Sequence, residues 1–294
     1  MRNSLHRLVF LLAVGMLAGS PLLSAPAWAR DILFVGNSFT FGANSAVHRY
    51  GAHLVSDLNG EGGGGVPALF KTFADEAGLD WSVSLETHPG AELAYHLAEK
   101  RGVIDRRWDA VILQGYSTLD PARPGDAVRH VDAARALASM FRRRHRDVQV
   151  DLIATWSRAD QTYLPQGHWY GQPIERMADD LDAVTRKAVA DQGELHAAIP
   201  VGRAWTGAIR DGVADPNPYD GIDYGRISLW SWNQYHASTE GYYLAALMVF
   251  GTVTGIDPRT LEGRERAADD LGIDPRVATR LRAIAAAGLS AQAS

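Results

Sequence analysis

Five short apolar runs, each broken from the next by a stretch with helical spacing, limit this chain more than any other feature. The first reads Ile32-Leu33-Phe34-Val35, and others lie at Trp81–Thr87, Asp109–Gln114, Val148–Thr155 and about Ala198–Val201. Strands that are apolar on both faces need cover on both faces. Runs that alternate with helices build right-handed βαβ units. The expectation is therefore a parallel sheet with helices on either side, in one domain from Arg30 to Ser294. Helices are expected at Ala46–Leu58, Val66–Ala77, Gly125–Arg144, Ile174–Asp191 and from Ser238 to about Gly255. Between the first two lies Gly62-Gly63-Gly64-Gly65, which cannot hold regular structure at low entropic cost and reads as a mobile loop.

The first 29 residues have another character. Arg2, His6 and Arg7 precede an apolar run from Leu8 to Ala18, and Ala27-Trp28-Ala29 fits a small-x-small cleavage site. The run is shorter than the ~20 residues a span requires. Residues 1–29 thus read as a signal peptide, with an exported mature chain from Arg30, periplasmic or secreted and without stable membrane insertion. The chain has no cysteine, which excludes lipid attachment through Cys, disulfides and thiolate metal sites. A net charge of -5 offers no basic field for nucleic acid.

Ser38 follows the first run in Gly36-Asn37-Ser38. In an open parallel sheet, ligands bind at the carboxyl ends of the strands. A hydroxyl carried there by a glycine turn is a candidate nucleophile, although Asn and Ser also serve as ordinary turn residues. The glycine spacing fits neither a phosphate loop nor a dinucleotide fingerprint. Gly90 ends the second run and Gln114-Gly115-Tyr116-Ser117 the third, so parallel strands would bring all three turns to one edge. A serine hydrolase also needs a base. His236, in Trp232-Asn233-Gln234-Tyr235-His236 just before a capped helix, is the best placed of the ten histidines, ahead of His88. The other histidines lack a ligand spacing, so no metal and no cofactor is expected.

These blocks together resemble the SGNH hydrolase, or GDSL-like esterase, superfamily. The resemblance implies a flavodoxin-like three-layer α/β/α sandwich with a five-stranded parallel sheet. It makes Ser38 the nucleophile, His236 the base, and the backbone N–H groups of Ser38 and Gly90 oxyanion donors. Two positions depart from the pattern. Where the family has Gly-x-Asn-Asp, this chain has Gln114-Gly115-Tyr116-Ser117, so Gln114, or alternatively Ser117, would supply the side-chain oxyanion donor. Where the family has Asp three residues before the histidine, this chain has Asn233, and Asp220 or Asp223 could substitute. Trp156, Trp232 and Tyr116, among the aromatics crowding these loops, suit the C–H faces of a sugar ring. The implied activity is hydrolysis of small acyl esters, acetyl foremost, on a small molecule or polysaccharide. The alternatives are a catalytically weak or inactive glycan-binding relative and a lipase or thioesterase.

Overall fold

A computed structural model describes residues 29–263 and 266–291. The expected leader, apart from Ala29, lies outside the described residues. In chain order the elements are β1 (Arg30–Gly36), β2 (Ser56–Asp57), α1 (Gly65–Glu76), β3 (Trp81–Thr87), α2 (Leu93–Glu99), α3 (Arg101–Ile104), β4 (Ala110–Leu113), α4 (Val128–Arg144) and β5 (Gln149–Ala154). There follow α5 (Ala159–Tyr163), α6 (Glu175–Gln192), β6 (Ala197–Pro200), α7 (Val201–Arg210), α8 (Thr239–Thr254), α9 (Ala267–Asp270) and α10 (Pro275–Ser290). The strands form one six-stranded sheet in the order β2-β3-β1-β4-β5-β6. Every neighbouring pair is parallel.

β1 lies between β3 and β4, and its residues Ile32 to Val35 are fully buried. Alternation divides them between the two faces. Ile32 and Phe34 join the core with Leu69, Phe70 and Phe73 of α1 and the apolar side of α8. Leu33 and Val35 pack in the second core with Leu137 and Phe141 of α4. Each such side chain contributes about 1.5–3 kcal/mol on burial, so the strand that carries the site is strongly held. α8 is buried on nearly all sides, because α1, α7 and α10 surround its outer surface.

The three-layer α/β/α expectation holds, with one strand more than the five expected. The sixth is the two-residue β2, which occupies sequence expected to be the end of a helix. Ala46–Leu58 is not that helix. It folds as two short 3-10 turns, Ala46–His48 and Ala52–Leu54, interrupted at Gly51, where φ is 56°. A left-handed residue ends helical propagation, and the chain then extends into β2.

The glycine run differs from expectation as well. Gly63, Gly64 and Gly65 are buried. Gly63 N–H donates to Asp57 Oδ2 at 3.1 Å and Gly64 N–H to the His48 carbonyl at 2.8 Å. A Cβ on Gly64 would lie 1.8 Å from the Tyr50 carbonyl oxygen. These glycines permit backbone to pass against backbone and form a packed connection. Among the described residues no helix is long and apolar enough to cross a membrane.

Candidate active site

β1 ends at Gly36, where a Cβ would lie 2.2 Å from Thr40 Oγ1 and 2.8 Å from Gln114 Oε1. Only glycine lets the turn close this tightly. The next residue, Asn37, is buried and fastens three loops together. Its N–H donates to Gln114 Oε1 (3.0 Å), and its Nδ2 to the carbonyls of Ala91 (2.9 Å) and Gly115 (3.2 Å). The ends of β1, β3 and β4 are therefore held in one piece. Ser38 stands on this turn, its carbonyl accepting from Tyr242 Oη at 3.1 Å.

A cleft of about 490 Å³ opens at this edge of the sheet. Ser38, Gly90, Tyr116, Ser117, Asn44, Arg158, Tyr235 and His236 line it. The turns expected to meet after three separate strands thus do meet, and His236 faces the same space. The N–H groups of Ser38 and Gly90 have no hydrogen-bond partner among the described residues. Gly90 has φ of 69°, a conformation that favours glycine. His88 is exposed and stacks on Tyr95.

His236 is only 6 % exposed. Burial first, then the positive charge of Arg158, press its pKa down to about 4. Its Nε2 has no partner. Its Nδ1 lies 2.8 Å from Asn233 Nδ2 and 3.1 Å from Asn44 Nδ2. The orientation of Asn233 follows from its other contacts: Oδ1 accepts from Ser231 Oγ (3.1 Å), His236 N–H (3.1 Å) and Tyr235 N–H (3.4 Å). Backbone N–H groups only donate, so the amide oxygen must face them and the NH2 must face the imidazole. Nδ1 therefore accepts, and the proton of the neutral ring sits on Nε2. This is the tautomer opposite to the one a general base at Nε2 requires.

Neither proposed substitute for Asn233 reaches the imidazole. Asp220 accepts from Asn217 Nδ2 at 2.7 Å, and the exposed Asp223 pairs with Arg226 at 3.3 Å. Both belong to the surface loop between α7 and α8. Gln114 is also displaced from its expected role. Its Nε2 donates to the Gly115 carbonyl, its Oε1 accepts from Asn37 N–H and Thr40 Oγ1 (2.9 Å), and the buried side chain is not among those that line the cleft. Ser117, the alternative, lines the cleft.

The aromatic residues separate into core and rim. Trp156 is 2 % exposed and lies between Phe39 and Trp205, with ring centroids at 4.5 and 4.7 Å. It supports the floor of the site and does not line the cleft. A stack of rings is the cheapest way to bury three large side chains side by side, and it places Phe39 5.3 Å from the His236 ring. Trp232 is 77 % exposed on the loop that carries Asn233, while Tyr116 lines the cleft itself. Two lining residues had no signal in the sequence reading. Asn44 reaches His236 from a left-handed turn (φ 62°), and Arg158 lies on the loop after β5. Among the described residues, no three His, Asp or Glu are grouped to hold a metal ion.

No family model matches the chain, and no curated protein sequence does either. Solved structures do. A DUF4886 family protein from Bacteroides uniformis superposes with a TM-score of 0.60 at 19% identity, covering 90% of this chain and 96% of that one. A protein from Slackia heliotrinireducens assigned to the SGNH hydrolases superposes at 0.50 with 21% identity, covering 76% and 99%. Its fold is that of the SGNH hydrolases. A Parabacteroides merdae protein described as a GDSL-like lipase agrees, at 0.54 and 19% identity over 77% and 95% of the two chains. In this chain Ser38 and His236 line one cleft, and the residue three before the histidine is an amide, Asn233.

Proposed function

We propose that the chain is an exported ester hydrolase of the Ser-His type, acting on small acyl esters, acetyl above all, carried by carbohydrate. The observation that carries the reading is the meeting in one cleft of Ser38, the N–H groups of Ser38 and Gly90, and the His236 ring, whose Nε2 has no hydrogen-bond partner among the described residues. Ser38 Oγ attacks the acyl carbon and passes its proton to His236 Nε2. The N–H groups receive the oxyanion, and the alcohol leaves with the proton. Water then releases the acyl group by the same steps in reverse order of roles. The base must first hold its own proton on Nδ1, which the amides of Asn233 and Asn44 oppose. The expected enzyme is therefore slow. The apolar lining is limited to Phe39, Phe41, Ala43 and Pro89 among mostly polar side chains, which favours a short acyl group. Tyr116, Tyr235 and the exposed Trp232 suit a sugar as the alcohol half.

One observation favours a second reading, a glycan-binding cleft with little turnover: the NH2 of Asn233 facing Nδ1. Hydrolysis of p-nitrophenyl acetate, p-nitrophenyl decanoate and an acetylated xylan by purified protein and by Ser38→Ala separates the readings. Serine-dependent release of acetate supports the esterase. Binding of the xylan without release supports the binding protein, and preference for the decanoate supports a lipase or thioesterase.

A further inference from the structure

We propose that the sugar carrying the ester is acidic, a uronic acid whose carboxylate is bound by Arg158 beside the reacting centre. This rests on the carbohydrate-ester reading above and narrows the alcohol half of the substrate to one charge class. Among the described residues that line the cleft, Arg158 is the one with a fixed charge, and none is a carboxylate. A chain of net charge -5 thus presents a cation and no anion to this space. The positive charge is felt at His236, so an anion held on Arg158 lies within electrostatic reach of the ring that handles the proton.

A guanidinium has five N–H donors. In Arg158, Nε and Nη2 donate to Asp160 Oδ1 (3.0 Å) and Oδ2 (2.6 Å), and Nη1 donates to Ser117 Oγ (3.2 Å). Those bonds leave one N–H on each terminal nitrogen, and a guanidinium takes up a carboxylate through two such groups. The guanidinium carbon lies 4.5 Å from the centre of the Tyr235 ring, which covers one face. The side chain is 14 % exposed, and in so shielded a place a charge pair is stronger than on an open surface. Asp160 is not among the residues that line the cleft. It fixes the plane of the guanidinium from behind and offsets the cost of withdrawing it from water, while a bound ligand meets the cation first. An ion pair withdrawn from water adds little net stability, so stability does not account for setting one against the site of an ester. The cleft of about 490 Å³ has room for a sugar ring together with its acetyl group. Arg158 is then a specificity-determining residue, and the class of ester it selects is an acetylated uronic acid over an acetylated neutral sugar.

The test uses methyl β-D-glucuronoside and its primary amide, which differ only in the charged group, each with its hydroxyls acetylated and each as the free sugar. For the native protein, kcat/KM for acetate release should be about 10- to 100-fold higher on the acetylated carboxylate than on the acetylated amide, the range of a charge-assisted contact. Most of the difference should lie in KM, and it should shrink as salt is added. Arg158→Gln should bring the ratio close to one; taking the ratio within each variant removes any loss common to both substrates. A native ratio of one or below, or a ratio that survives Arg158→Gln, overturns the assignment. Should Arg158→Gln fail to fold, Arg158→Lys replaces it, with a reduced ratio expected because an ammonium does not hold both oxygens in one plane; an unchanged ratio then overturns it. Titration calorimetry of the two free sugars into native protein makes the same comparison without turnover. If Ser38→Ala keeps full activity, or if no ester is hydrolysed, the Ser-His reading falls and calorimetry decides alone. Tighter binding of the glucuronoside, lost in Arg158→Gln or weakened in Arg158→Lys, upholds an acidic-sugar site; equal binding of the two sugars, or none, overturns it.

Discussion

Replacing Asn233 by Asp should turn a slow site into a faster one. In the native protein Asn233 presents Oδ1 to two backbone N–H groups and a hydroxyl, and Nδ2 to His236 Nδ1 at 2.8 Å. A carboxylate has acceptors at both ends, so Asp fills the first role unchanged and reverses the second. Nδ1 then carries the proton and Nε2 is free to take one from Ser38. In a serine protease the opposite change costs about 10⁴ in turnover, which is about 5.5 kcal/mol at 1.36 kcal/mol per decade. Asn44 Nδ2 would still lie 3.1 Å from Nδ1 and would have to turn its amide. Losing or re-forming one such hydrogen bond costs about 1–2 kcal/mol. The net expectation is a gain of roughly 3.5–4.5 kcal/mol, or about 400- to 2,000-fold in kcat. The assay is steady-state hydrolysis of p-nitrophenyl acetate, with circular dichroism to confirm the fold and ¹⁵N shifts of the imidazole to report the tautomer. A nearby anion also stabilises the imidazolium, so the acid limb of kcat/KM should move up from about pH 4. A folded Asn233→Asp protein with unchanged or lower kcat, and the proton still on Nε2, would refute the tautomer argument.

Other outcomes follow from the same structure. Ser38→Ala and His236→Ala should each remove nearly all esterase activity without unfolding the protein, because members of such a unit act together; activity assays with thermal melts check this. His236 and the fully buried His130 are both held near 4, against 6.5 in the unfolded chain. A histidine whose folded pKa is depressed binds its proton later than the unfolded chain does. Stability should therefore fall as pH drops from about 6.5 to about 4, by up to about 1.4 kcal/mol per pH unit for each histidine, and denaturant melts across that window measure the slope. Gly64→Ala should lower the melting temperature markedly, since the new methyl meets backbone at 1.8 Å and overpacking costs about 1–3 kcal/mol or more. Mass spectrometry of the protein recovered outside the cytoplasm should show an N-terminus at Arg30, and an intact Met1 there would refute cleavage.

What could be read in the sequence was what one stretch of chain decides by itself. β1 is legible because its short apolar run stops at once in the turn residues Gly36-Asn37-Ser38, whereas the equally unbroken stretch 247–250 lies inside a long buried helix. Arg158 and Asn44 were not legible, since each is an ordinary polar loop residue until packing brings it beside His236. Gln114 misled because a carboxamide bonding its own turn and one facing a ligand have the same sequence signature. The glycine run misled for a similar reason. Mobile loops and tight backbone crossings both select glycine, and only the position of the Tyr50 carbonyl distinguishes them. Trp156 was assigned to the rim because tryptophan content cannot say whether rings stack on each other or on a ligand.

The place of β1 in the sheet also dictates an order of assembly. Its Arg30 pairs with Trp81 and its Ile32 with Ala110, so the first strand to leave the ribosome gains its second neighbour only once β4 has been made. Contacts this distant in sequence close slowly. Until β4 has been made, the nascent chain holds an apolar strand with nothing on one side of it. Such a chain stays extensible while it is being synthesised, because the strand that carries the cleft completes its pairing only when distant sequence arrives.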